Sequence, residues 1–183
     1  QDAFTQPWRL TAPKVYPDTV ELLYEFYSEI EVAEALLAIE RPEHTTITLN
    51  DTLVESESTG WYVDKFISTV ALPPIRKGKN QLTVSLPFGR KINIENLYIL
   101  GDFAVENRGV NNRITENNKP RDFGDLTRQG LPFYTGNAVY TVKINPKENM
   151  RDVVLEIPHY AGTMCQVSLN GKDKGIVAYA PHR

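Results

Sequence analysis

Ile47-Thr48-Leu49-Asn50-Asp51 returns, lightly edited, as Val167-Ser168-Leu169-Asn170-Gly171. In both stretches apolar side chains alternate with short polar ones, the period of a half-buried strand. Asn-Asp or Asn-Gly then supplies residues that tolerate positive φ, so each stretch reads as the first arm of a tight hairpin. The surroundings recur as well. Tyr24-Glu25-Phe26 and Leu36-Leu37-Ala38-Ile39-Glu40 precede the first copy; Tyr140-Thr141-Val142 and Val153-Val154-Leu155-Glu156-Ile157 precede the second. Aromatic stretches follow, Gly60-Trp61-Tyr62-Val63-Asp64 in one case and Ile176-Val177-Ala178-Tyr179 in the other. A repeated unit of this kind speaks to architecture before it speaks to chemistry.

Working outward, strands dominate. Leu82, Val84 and Leu86 alternate with Gln81, Thr83 and Ser85, after Gly78-Lys79-Asn80 and before Pro87. Tyr140, Val142 and Ile144 alternate with Val139, Thr141 and Lys143; Val153, Leu155 and Ile157 alternate with Val154 and Glu156. Strands are expected at 45–50, 81–87, 138–145, 152–158 and 164–170, each with one apolar and one wetter face, as in two packed antiparallel sheets. The 12 prolines and 11 glycines punctuate many short strands.

Residues 20–40 admit two readings. Period two puts Leu22, Tyr24, Phe26, Ile30 and Val32 inward and Glu21, Glu25, Glu29 and Glu31 outward. A helical period instead aligns Leu23, Tyr27, Ile30 and Leu37 behind a cap at Asp18 or Thr19. The repeat favours strands, because it matches this segment to 140–157, where Pro146 separates two plain strands. Residues 106–128 hold Asn107, Asn111, Asn112, Asn117 and Asn118 with few apolar partners and read as one long loop.

Composition narrows the function. A net charge of -3 over 183 residues gives no electrostatic reason for a nucleic-acid or anionic-membrane partner. No apolar run approaches the ~20 residues of a membrane span. The single cysteine, Cys165, alternates with Val167 and Leu169 and reads as a buried, inert thiol. His44, His159 and His182 lack zinc spacing, and neither a nucleophile elbow nor a phosphate-binding Gly-rich loop is present, so no metal site and no cofactor is expected. Asp102, Asp122 and Asp125 beside the Asn-rich stretch are the oxygen ligands a structural calcium ion would use, without the compact spacing such a site favours.

Gln129-Gly130-Leu131-Pro132-Phe133-Tyr134-Thr135-Gly136, followed by Tyr140, resembles the lead-in to a strand in the galactose-binding-like sandwiches of large glycoside hydrolases. The family 2 sugar-binding-like domains and those of alpha-L-rhamnosidase-like proteins are most similar. Val167-Ser168-Leu169-Asn170-Gly171 with Gly175 resembles their strand, Asn-Gly turn and next strand; Ile94-Glu95-Asn96-Leu97-Tyr98-Ile99-Leu100-Gly101-Asp102-Phe103 resembles another of their segments. The resemblance implies an all-β jelly-roll sandwich of antiparallel sheets, galactose-binding-domain-like, serving a bacterial glycoside hydrolase as a non-catalytic accessory domain. Its partners would be a glycan or the parent enzyme's catalytic domain, and its location extracellular or periplasmic. Two related units are expected, 1–92 and 93–183, the second cut short and the chain a fragment; the alternative is one continuous sandwich over 1–183.

Sugar binding needs an aromatic face against the apolar side of a pyranose and polar groups for its hydroxyls. Trp61, Tyr62 and Asp64 after the loop 55–60 are the leading candidates, with Tyr134, Tyr179 and His182 in the second copy. Strand alternation makes Tyr62 the exposed ring with Asp64 beside it and Trp61 the anchor; the reverse register exposes Trp61 and leaves Val63 next to it. The competing class is a structural or protein-interaction sandwich whose aromatics fill the core. No catalytic residues are assigned, and no hydrolysis by the isolated chain is expected.

Overall fold

The computed structural model describes residues 18–89, 94–117, 121–134, 136–145, 154–160 and 162–180. The chain divides into two compact units, one of 1–121 with 125–134 and the other of 122–124 with 135–183.

In the first unit, strands β1 (Asp18–Ser28), β2 (Ala35–Glu40), β3 (Thr46–Leu49), β4 (Thr52–Val54), β5 (Gly60–Tyr62), β6 (Asp64–Leu72), β7 (Gly78–Phe88), β8 (Tyr98–Gly101), β9 (Ala104–Glu106) and β10 (Arg113–Thr115) form two sheets. One has the order β4-β3-β7-β1-β10-β9 and the other β5-β6-β2-β8. Ile47, Leu49, Leu82 and Val84 of the first and Leu37, Ile39, Val70 and Leu72 of the second share one core, so the sheets sandwich it. Each such side chain, fully buried, contributes about 1.5–3 kcal/mol. Pairing is nested: β1 lies antiparallel to β7, β2 to β6, and β3 to β4.

Residues 20–40 are strands. β7 pairs with the whole of β1, from Asp18↔Phe88 to Ser28↔Gly78, which fixes period two and turns Glu21, Glu25 and Glu29 to solvent. The inward residues are only partly covered; Tyr24 remains 39% exposed. Buried Ser28 ends the strand by donating its hydroxyl to the Ile30 carbonyl (2.6 Å).

Three expectations change. The sheets are not wholly antiparallel, because β10 runs parallel to β1 through Tyr27↔Arg113 and Ser28↔Ile114. Residues 106–128 are not one loop: Ile114 of β10 is buried in the core, and a 3-10 turn spans Leu126–Gln129. A three-residue strand carries too little alternation to be read from sequence. Nor does the first unit close at residue 92, since β8 pairs with β2 and β10 with β1.

The second unit contains one hairpin among its described residues, β11 (Cys165–Leu169) with β12 (Lys172–Val177). Its turn repeats the first: φ is 50° and 64° at Asn50 and Asp51, and 52° and 74° at Asn170 and Gly171. Both residues of each turn thus take the left-handed conformation of a primed hairpin turn. Tyr160 donates its hydroxyl to the Val177 carbonyl (3.1 Å), and Phe123 stacks on Tyr140 at 4.7 Å. Cys165 is half-buried rather than fully enclosed. The strands expected at 138–145 and 152–158 do not form among the described residues, although their pattern matches β1 and β2. A strand needs a neighbour to satisfy its backbone. The neighbour that orders β1 is β7, and the described residues of the second unit hold no strand in that role.

Candidate functional site

The corner predicted from Trp61, Tyr62 and Asp64 is an edge of the four-stranded sheet. β5 contributes Trp61, which pairs with Ser68 of β6 before the register shifts. Thr59 secures the approach, donating its amide to the Thr69 carbonyl (2.7 Å). Gly60 fits closely there, because a Cβ would lie 3.3 Å from Thr69 Oγ1. Val63 then turns the chain with φ of 61°, an unfavourable left-handed conformation for a β-branched residue. Asp64 Oδ1 accepts the Phe66 amide (2.9 Å), closing a local turn and leaving Oδ2 for other partners.

That turn decides which ring faces solvent. Trp61 is 58% exposed and Val63 69%, whereas Tyr62 is half-buried with its ring 5.5 Å from that of Tyr98, tilted by 52°. Tyr62 is therefore the brace and Trp61 the presented surface, the reverse of the favoured sequence register. Val63's positive φ closes a tight turn between β5 and β6, across which Tyr62 is paired with Asp64. Phe66, 82% exposed, shares a β6 face with Ser68 and so lies on the same side as Trp61.

Carboxylates adjoin the aromatic corner. Glu40 sits opposite Ile67 in the β2–β6 pairing, on the other face of the sheet from Trp61 and Ser68. Burial raises its pKa above the ordinary carboxylate value; Glu95 reinforces this, Arg41 opposes it, and Asp64 adds a smaller push. Sequence reading missed Glu40, Glu95, Tyr98 and Phe66. Tyr98 stood within the quoted 94–103 segment, and Glu40 was the one acidic end of an otherwise apolar strand. Glu95 stood in the same segment as Tyr98, and Phe66 gave no comparable signal.

The other candidates lie elsewhere. Tyr134, half-exposed, follows the 126–129 turn, which is held to β9 by the Val105 amide on the Gly130 carbonyl (2.7 Å). Tyr179 belongs to the second unit and is 86% exposed. His182 falls outside the described residues.

The acidic residues considered for calcium do other work. Asp102 accepts from Asn117 Nδ2 (2.6 Å), and Asp125 caps Thr127 through its amide (2.9 Å) and hydroxyl (2.6 Å). Those two bonds hold the Asp125 carboxyl below its ordinary pKa. Asp122 belongs to the other unit. Among the described residues no group of three or more His, Cys, Asp or Glu could hold a metal ion.

At the opposite end of β6, shallow depressions are lined by Asn50, Asp51, Arg76, Lys79, Asn80 and Gln81, and by Glu31, Thr52, Pro73 and Pro74. Their polar groups mostly serve each other. Asn80, 1% exposed, donates to the carbonyls of Arg76 (2.7 Å) and Gly78 (3.1 Å) and accepts from the Arg76 amide (3.0 Å) and Asn50 Nδ2 (2.7 Å). Asn50 Oδ1 accepts the Gln81 amide (3.0 Å). Asn50 is therefore a structural latch.

In comparisons with family models, curated proteins and solved structures, nothing matches this chain.

Proposed function

We propose that the chain is a non-catalytic, carbohydrate-associated accessory module that contacts glycan at the Trp61 corner. The observation that carries this reading is an indole held 58% exposed at a sheet edge by a strained turn. A large aromatic ring kept in water at a conformational cost suits ligand contact better than packing. Trp61 is the stacking platform, Tyr62 on Tyr98 its brace, and Asp64 Oδ2 an acceptor for sugar hydroxyls. The nested pairing of β1 with β7, β2 with β6 and β3 with β4, alternating between sheets, supports a jelly-roll, galactose-binding-like topology. Such a module would assist a glycoside hydrolase outside the cytoplasm, its own carboxylates binding rather than cleaving.

Calorimetric titration with a panel of neutral and acidic oligosaccharides tests the reading. A ring–sugar stack contributes about 1 kcal/mol of the roughly 4–5.5 kcal/mol that millimolar to high-micromolar affinity requires, so Trp61→Ala should weaken binding about fivefold. Tyr62→Phe should leave it nearly unchanged. Binding insensitive to Trp61→Ala moves the site elsewhere. If no glycan binds, the second reading takes over: Phe66, 82% exposed beside Trp61, then marks a contact with a neighbouring protein domain.

A further inference from the structure

Strand β6 carries its core face out into solvent. Val70 and Ser68 stand opposite Leu37 and Ile39 in the β2–β6 pairing, so Ser68 shares the face that Val70 and Leu72 turn into the core. Side chains alternate along a strand, and Phe66 is the next residue on that face. Cover disappears along it: Val70 is fully buried, Ser68 half-buried and Phe66 82% exposed. Trp61 joins the same face from the neighbouring strand, because it pairs with Ser68. Two large rings are therefore presented on one ledge, beyond the point where the core ends.

The sheet fixes their spacing. Trp61 is one strand over from Ser68 and Phe66 one two-residue step along from it, so their Cα atoms lie about 8 Å apart. A single pyranose stacked on Trp61 leaves Phe66 in water, whereas two linked sugars cover both rings. The Phe66 backbone is held by the bond from its amide to Asp64 Oδ1 (2.9 Å), and Asp64 alternates onto the same face. Lys65, between them, points to the other face. Glu55 and Glu57, both exposed, lie in the loop that leads to β5. Carboxylates beside the rings repel an acidic sugar and accept from the hydroxyls of a neutral one.

We propose that Phe66 is a second stacking position, which makes the Trp61 corner select neutral glycan chains of two or more linked sugars over single sugars. The inference rests on the glycan reading of Trp61 and adds the class of glycan that the site takes. One sugar stacks on Trp61, the next covers Phe66, and Asp64 Oδ2 accepts from their hydroxyls.

The test titrates the whole 183-residue protein with gluco-, xylo- and galacto-oligosaccharides of one to four units, followed by nuclear magnetic resonance. For the series that binds, affinity should rise about fivefold between one and two units, the share of one further stacked ring, and then level off. Phe66→Ala should abolish that rise, and so should Phe66→Leu, which is apolar but has no flat face; Phe66→Tyr should keep it. All three should unfold near the parent midpoint, since the ring is largely in water. A uronate chain of equal length should bind more weakly than its neutral counterpart. The inference fails, and the glycan reading stands, if Trp61→Ala weakens binding but single and linked sugars bind equally, or if Phe66→Ala or Phe66→Leu keeps the rise. It fails in the same way if Phe66→Tyr loses the rise or if uronate chains bind as well as neutral ones. If no sugar binds, or Trp61→Ala changes nothing, the glycan reading itself fails and takes this inference with it.

Discussion

Replacing Asn80 with Ala tests how the first unit is locked together. Its side chain makes four hydrogen bonds, two as donor and two as acceptor, at a site 1% exposed. Each is worth about 1 kcal/mol net, and a buried partner left unsatisfied costs about 1–3 kcal/mol. Arg76 is exposed and Asn50 half-exposed, so part of what is lost can be regained from water. The expected destabilisation is therefore about 2–4 kcal/mol, a large share of a typical domain's ~5–15 kcal/mol. Urea unfolding followed by far-ultraviolet circular dichroism measures it, as a shift of the first unit's transition. Asn80→Asp sharpens the test. The carboxylate keeps both acceptor bonds but faces the Arg76 and Gly78 carbonyls, which disfavour its charge and raise its folded pKa. The native state then holds the proton more tightly, so this variant should regain stability as pH falls through that raised value. A cycle with Asn50→Gly should show coupling of about 1 kcal/mol. A cost below about 1 kcal/mol for Asn80→Ala would refute the latch.

Val63→Gly should not destabilise the protein and should add up to about 1 kcal/mol: it relieves left-handed strain of about 1–2 kcal/mol against a glycine entropy cost of about 0.5–1 kcal/mol. A loss of stability in thermal unfolding would show that Val63's side chain matters more than its backbone. Glu40 binds its proton more tightly folded than unfolded, so its contribution favours the native state at low pH and is lost as pH rises through its raised folded pKa. Glu40→Gln should flatten that part of the stability profile and leave the protein at least as stable at neutral pH; an unchanged profile would contradict the assignment. Trp61→Ala should change the unfolding midpoint little, because its ring is largely in water, and a large drop would mean that it is a packing residue.

The two hairpins were legible because Asn-Asp and Asn-Gly leave few turn geometries open and alternation fixes the inward face. Residues 20–40 were ambiguous locally, since Leu23, Tyr27 and Leu37 fit a helix as well as Leu22 and Phe26 fit a strand. Pairing with β7, some sixty residues away, decides it. β9 and β10 escaped notice as three-residue strands placed by tertiary contacts alone. In the second unit the alternation at 139–144 was sound as a pattern, yet pattern without a partner makes no strand. At 61–64 the sequence offered two exposed-ring registers, and the choice of Trp61 over Tyr62 follows from the contact of Tyr62 with Tyr98, which no local pattern shows. Glu40 and Tyr98 join that corner only through cross-strand pairing.

Trp61's indole N–H is the most direct probe of the central claim. In a proton–nitrogen correlation spectrum titrated with the oligosaccharide panel, this resonance, separated from Trp8 by a Trp8→Phe variant, should move together with amides of residues 60–67. Shifts confined to that corner, saturating in the millimolar to high-micromolar range, are what the account predicts. An indole resonance that stays still while a glycan binds, or while every glycan fails to bind, would contradict it.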